Sequence, residues 1–210
     1  MRLHYGGIPT SSDFHPEETG WTKLREPQPW LMMWLSLPLG ILAAVLVGWA
    51  WVALGDVQPG VSIQTRSIGQ VFAALGIGLA VVLALIVIHE LLHAAIMPDF
   101  GLSRRTIIGV WPSHGMFYAH HEGELTKGRF LLVFLMPLLV ISVLVPAVCI
   151  LIGWKPTWLA LLTILNALFA CGDLLGALLI LFQVPSGAIC RNQGWMTWWR
   201  RPEREAQPTV

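Results

Sequence analysis

Apolar and polar positions divide this chain into four long, almost wholly apolar stretches, at residues 30 to 54, 70 to 97, 130 to 153 and 157 to 183, separated by polar segments of very unequal length. A helix needs ~20 apolar residues to cross a ~30 Å hydrocarbon layer, and each stretch meets that length, so the pattern predicts four transmembrane helices. Pro38, Pro137 and Pro146 fall inside the runs, where proline is tolerated but bends the helix, and bends are expected there. Trp30, Trp34, Trp49, Trp51, Trp154 and Trp158 lie near the span ends, where indole favours the headgroup boundary. The segment from Phe100 to Glu124 carries two β-like pieces, residues 106 to 110 and 116 to 119, which predict a hairpin or a re-entrant segment between the second and third spans. The fold class read from this pattern is an all-α membrane protein with a partly β-like loop.

Composition agrees. Of the 210 residues, 55% are hydrophobic and 12% charged, about half the charge of an ordinary soluble domain. The apolar mass fits one membrane domain, residues 30–190, flanked by tails at 1–29 and 191–210. A formal net charge of +1 with no basic run gives no electrostatic footprint for nucleic acid, which excludes that class of partner and leaves the lipid bilayer and a substrate. Cys149, Cys171 and Cys190 form no CxxC pair, which argues against a disulfide framework. Residues 1 to 29 lack the apolar core of a cleavable signal, so the first span is expected to act as an uncleaved anchor.

Lys and Arg are unevenly distributed. Arg2, Lys23 and Arg25 precede the first span, Arg104, Arg105, Lys127 and Arg129 lie between the second and third, and Arg191, Arg200, Arg201 and Arg204 follow the fourth. The other two connections hold Arg66 and Lys155. The positive-inside rule then puts both termini and the long loop in the cytoplasm, and the absence of organelle targeting fits a bacterial inner membrane.

Against this background, His89-Glu90-Leu91-Leu92-His93 at the end of the second stretch is the chemically informative feature. Residues at i, i+1 and i+4 of a helix project into one sector of roughly 100°, so two imidazoles and a carboxylate share a space. In this HExxH pattern the histidines hold zinc and the glutamate takes a proton from the attacking water. A catalytic zinc usually has three protein ligands. Asp173, the single acidic residue of the fourth stretch, matches His89 in depth to within roughly 5 Å at 1.5 Å per residue, and coordination would relieve the cost of a carboxylate in hydrocarbon. Asn166, seven residues earlier on nearly the same face, is a candidate to bind substrate or to make an interhelical hydrogen bond. Gly172 and Gly176 read as packing positions. In the loop, His114, His120 and His121 are candidate alternative metal ligands or transition-state donors and Tyr118 a candidate to polarise a scissile carbonyl or to anchor at the interface, with His114, Tyr118 and His120 also candidate substrate contacts. An open strand edge there could align an extended peptide.

These residues carry a resemblance. His89 to His93, the loop ending Tyr118 to Leu125, the Met136-Pro137 segment and Asn166 to Asp173 resemble the putative zincin peptidase family of bacterial integral-membrane proteins, over roughly residues 80 to 190. The resemblance implies zinc at His89, His93 and Asp173, with Glu90 as base. A more distant similarity is to site-2 proteases, intramembrane metallopeptidases that pair an HExxH helix with a later Asp preceded by an Asn. The function expected is a membrane-embedded zinc metallopeptidase acting on a protein or peptide. The alternatives are a non-catalytic metal-binding or metal-transporting protein, and a degenerate scaffold.

Overall fold

The computed structural model describes residues 1–57 and 67–202. It is mostly helical, with two small sheets. The first span is α1, Pro29–Ala53, opened by a proline whose missing N–H would have been unpaired at that position anyway. The second is α2, Ile68–Ile96, capped by the Ser67 hydroxyl, which accepts from the Gln70 N–H. The third runs from Lys127 to Leu151, and all three helices are long and apolar enough to cross a membrane. The remaining apolar stretch is a broken pair, α5 (Thr157–Phe169) and α6 (Cys171–Gln183), bent by 45° and long and apolar enough to cross only if the two are taken together. Large apolar side chains such as Phe72, Leu75, Ile77 and Leu79 stand exposed along the first half of α2. A continuous apolar surface of that kind matches contact with lipid.

The breaks differ from the expectation. The recorded bend falls at Ala170, where no proline stands. The reason is packing: α1 crosses the pair there, and a Cβ on Gly40 would lie 2.6 Å from Cys171 Cβ and 2.7 Å from the Leu168 carbonyl. In the third span, α3 (Lys127–Pro137) passes through a π-helical stretch, Leu138–Leu144, into α4 (Val145–Leu151). Pro137 immediately precedes that stretch and Pro146 follows it by two residues, and Val145 bonds back five residues to Val140. The wider turn accommodates backbone that proline cannot hydrogen-bond in the ordinary register.

The all-α expectation is corrected outside the spans. Arg2–Tyr5 forms β1, parallel to β3 (Thr106–Trp111), which pairs antiparallel with β4 (Met116–His121). The predicted hairpin is thus present, and β4 is the edge of the order β1-β3-β4. The second sheet has the order β2-β7-β6-β5, with β2 at Thr22–Lys23, β5 at Leu125–Thr126, β6 at Ile189–Gln193 and β7 at Met196–Arg200. Both segments read as tails therefore contribute strands. Because β1 joins the loop after α2 and β2 joins the segment after α6, the three Arg/Lys-rich regions lie on one side of the helices.

A core of Leu24, Leu125, Phe130, Ile180, Val184 and Cys190 seals that sheet against the ends of α3 and α6. Lys127 clamps the same corner, donating to the Leu181 and Val184 carbonyls that end α6. A second core joins α1 to α4 and α5 through Val47, Trp51, Cys149, Ala160 and Ala167. Trp51 belongs here: it is 1% exposed and donates its indole N–H to Thr163 Oγ1 at 2.8 Å, so it is an interior residue and not an interfacial marker. Trp30, Trp34, Trp49, Trp154 and Trp158 are exposed, as an interfacial belt requires.

Candidate metal centre

His89, Glu90 and His93 are buried on the inward face of α2, and each offers a donor atom within 4.8 Å of the others. Their rings stand edge to face, 4.9 Å between centroids. Nδ1 of each histidine is already engaged. His93 Nδ1 donates to the Val133 carbonyl of α3 at 2.6 Å, and His89 Nδ1 lies 2.8 Å from Asn166 Oδ1, an acceptor that makes this nitrogen the donor. With both Nδ1 atoms protonated in this way, both Nε2 lone pairs are free to bind a metal. They converge on Asp173 in the first turn of α6. Its Oδ2 is 3.1 Å from His89 Nε2 and its Oδ1 is 3.4 Å from His93 Nε2. The depth match read from two separate spans is therefore a direct contact.

The residues fit zinc. Two imidazole nitrogens and a carboxylate converge, each imidazole is held by an outer hydrogen bond, and Glu90 Oε2 is buried with no partner among the described residues. The Ala119 N–H of β4 faces the Glu90 carboxylate, which places helix and strand side by side at the site.

Asn166 is fully buried and its polar atoms are spent: Nδ2 donates to the Pro137 carbonyl at 3.1 Å and to Ser142 Oγ at 2.8 Å, while Oδ1 serves His89. It makes the interhelical hydrogen bonds that were one of the two expectations for it, and it has no group left for substrate. Ser142 donates to the Thr163 carbonyl, and Thr163 receives Trp51. A chain of buried polar contacts thus runs from α1 through α5 and the π-helical stretch to His89.

A cavity of about 650 Å³ opens beside these groups, lined by His89, Glu90, His93 and Asp173 and, from the loop, by residues 114–120. His114, Tyr118 and His120 all border it. Tyr118 lies flat over Gly109, its cross-strand partner, where a Cβ would sit 2.2 Å from the ring, and its hydroxyl is 3.3 Å from the Gly6 and Gly7 carbonyls. That hydroxyl anchors the amino-terminal turn. His114 stacks on Trp111 at 4.0 Å and bonds Ser113. His120 is buried, burial pushes its imidazole down to about 4, and its Nε2 has no partner among the described residues. His121 is held down to about 4 by burial and by Arg105, Arg129 and Arg191; it contacts Thr106 and borders a different cavity with Arg104 and Arg105. Of the glycines, Gly176 packs on Phe134, where a Cβ would meet the ring at 2.8 Å, whereas Gly172 has open space and borders the cavity.

Sequence reasoning missed the Ala119 N–H and the Val133 carbonyl, which are backbone groups with no residue signature, and the cavity residues Glu26, Asn192 and Trp195. Thr163 had a signal: it stands one turn before Asn166 on the same helix face. No curated protein and no solved structure matches the chain. Residues 82–189, just over half of it, match the model of a family described as putative zincin peptidase, and that segment holds His89, Glu90, His93, Asn166 and Asp173. The chain belongs to the putative zincin peptidase family.

Proposed function

We propose that the chain is a membrane-embedded, zinc-dependent hydrolase of peptide bonds, with His89, His93 and Asp173 holding the metal and Glu90 acting as general base. The observation that carries this reading is the Asp173 carboxylate lying against both Nε2 atoms while both Nδ1 atoms are tied back. Zinc, when bound, supplies Lewis acidity that makes a water acidic near neutral pH and polarises a carbonyl. Glu90 Oε2 has no other partner to satisfy among the described residues, so it is free to take the water's proton and return it to the leaving amine. The Val133 carbonyl and Asn166 fix the two rings, and Asp173 compensates the charge brought to the site.

The free edge of β4 supports a peptide as substrate. Glu122 N–H bonds to the Arg105 carbonyl, so the alternate residues Phe117, Ala119 and His121 turn their backbone groups away from β3. That edge runs past Glu90, which the Ala119 N–H faces, and its Phe117 and His121 positions can pair with an extended main chain. His120 Nε2, neutral at pH 7, is available to contact a polarised carbonyl in the same cavity. By the positive-inside rule the sheets face the cytoplasm of a bacterial inner membrane.

A second reading, a non-catalytic scaffold, is favoured by the same Asp173 contacts, because they link α2 to α6 without a metal. Buried and unpartnered, Glu90 Oε2 counts against it, since a purely structural site gains nothing from a desolvated carboxylate oxygen. Glu90→Gln separates the two. In the hydrolase it keeps one zinc and lowers turnover by ~100-fold or more; zinc-free protein, or cleavage at the original rate, removes the proposal.

A further inference from the structure

Glu26 stands between β2 and α1, outside the spans, and borders the same cavity as the histidines. Its Oε2 accepts from the Thr197 N–H at 2.6 Å and its Oε1 from Thr197 Oγ1 at 2.8 Å. Thr197 is directly opposite Asn192 in the β6–β7 ladder, and opposed residues project from the same face of a sheet. Asn192 also borders the cavity, and its Oδ1 is buried with no partner among the described residues. An anionic acceptor and a neutral acceptor thus flank the Thr197 side chain.

Among the described residues no Lys or Arg forms an ion pair with Glu26. Lys23 is opposed to Trp198 and its ammonium lies 5.7 Å from the centre of that ring, on the opposite face from Thr197. Burial accordingly holds the Glu26 carboxyl up to about 7 despite two hydrogen bonds from Thr197 and the more distant charge of Lys23. A carboxylate removed from water and left with neutral donors is costly, and a cationic donor would remove the cost.

We infer that Glu26 and Asn192 form a recognition subsite for a positively charged nitrogen donor of the substrate, either a Lys or Arg side chain or a free amino terminus. The inference rests on the cavity being a peptide-binding site. A guanidinium or ammonium could donate to the carboxylate and to Asn192 Oδ1 together, while the main chain lies along β4.

The test uses the full chain in detergent, zinc-loaded. The probes are fluorescent, acetylated and amidated alanine octapeptides in which Arg, Lys or norleucine is stepped through each position, plus the all-alanine peptide with a free amino terminus. Binding is read by anisotropy on the Glu90→Gln chain, and cleavage by mass spectrometry on the unaltered chain. Expected is about tenfold or tighter binding for a cation at one register over norleucine there, or for the free amine over its acetylated form. Glu26→Gln, which keeps an acceptor for Thr197, and Asn192→Leu, which leaves the Glu26–Thr197 contact untouched, should each reduce that preference with norleucine binding unchanged. No charge preference at any register, a preference that survives both substitutions, or no binding of any peptide overturns the inference. Charge-selective binding without cleavage would retain the subsite and sink the peptidase; cleavage indifferent to charge would do the reverse.

Discussion

At the level of single residues, the centre depends on hydrogen bonds one step behind the ligands. Asn166→Leu removes the acceptor for His89 Nδ1 and the donor to Ser142 Oγ, and it should weaken zinc binding by about 10- to 100-fold, measured by competition with a chelator of known affinity. Unaltered affinity would mean that the ring is oriented by something else. The ligands themselves were legible in the sequence, because helical spacing fixes where i and i+4 point and because a carboxylate in an apolar run demands a partner. Glu26 was not legible: nothing local distinguishes it from a solvated charge, and its burial comes from a strand 171 residues further on.

At the level of elements, two close approaches decide whether the site assembles. Gly40 lets α1 reach the break between α5 and α6, and Gly40→Leu should force those helices apart, costing about 1–3 kcal/mol or more, read as a lowered thermal midpoint with loss of bound zinc. If the midpoint and zinc content are unchanged, the crossing is not needed to place Asp173. On the other side of the cavity, Phe117→Pro deletes an N–H that faces away from β3 and blocks main-chain pairing at the β4 edge, where proline is otherwise tolerated. Peptide cleavage should disappear with one zinc retained; intact cleavage would exclude strand pairing as the mode of binding. The four apolar stretches and the hairpin were legible because their signals are periodic and local. β1 and β2 were not, since strands of four and two residues are specified by distant partners, β3 and β7. The bend at Ala170 was missed for a similar reason: the contact with Gly40 of another helix, and not a proline, places it.

At the level of the whole molecule, the sheets gather the segment before α1, the loop after α2 and the segment after α6 on one side, while Lys155 stands in the short connection opposite. The proposed topology, from the positive-inside rule, puts the sheet side in the cytoplasm. Cysteines introduced at the exposed positions Ser12 and Ser186 should therefore escape a membrane-impermeant maleimide in intact cells, and one at Lys155 should react. The opposite labelling would invert the topology without moving the metal centre. The cavity faces the sheets as well as the ligands, because Glu26, Tyr118, Asn192 and Asp173 all border it, and it also meets the exposed helix side chains Met33, Trp34 and Phe169.

Zinc content tests the proposed metal centre most directly. Detergent-purified chain, supplied with zinc and freed of excess, should carry one zinc per chain by elemental analysis, and Asp173→Ala should lose it or bind it far more weakly while keeping its helical circular dichroism. Asp173→Ala protein that still holds one zinc with undiminished affinity would contradict the claim that α2 and α6 together form the metal centre.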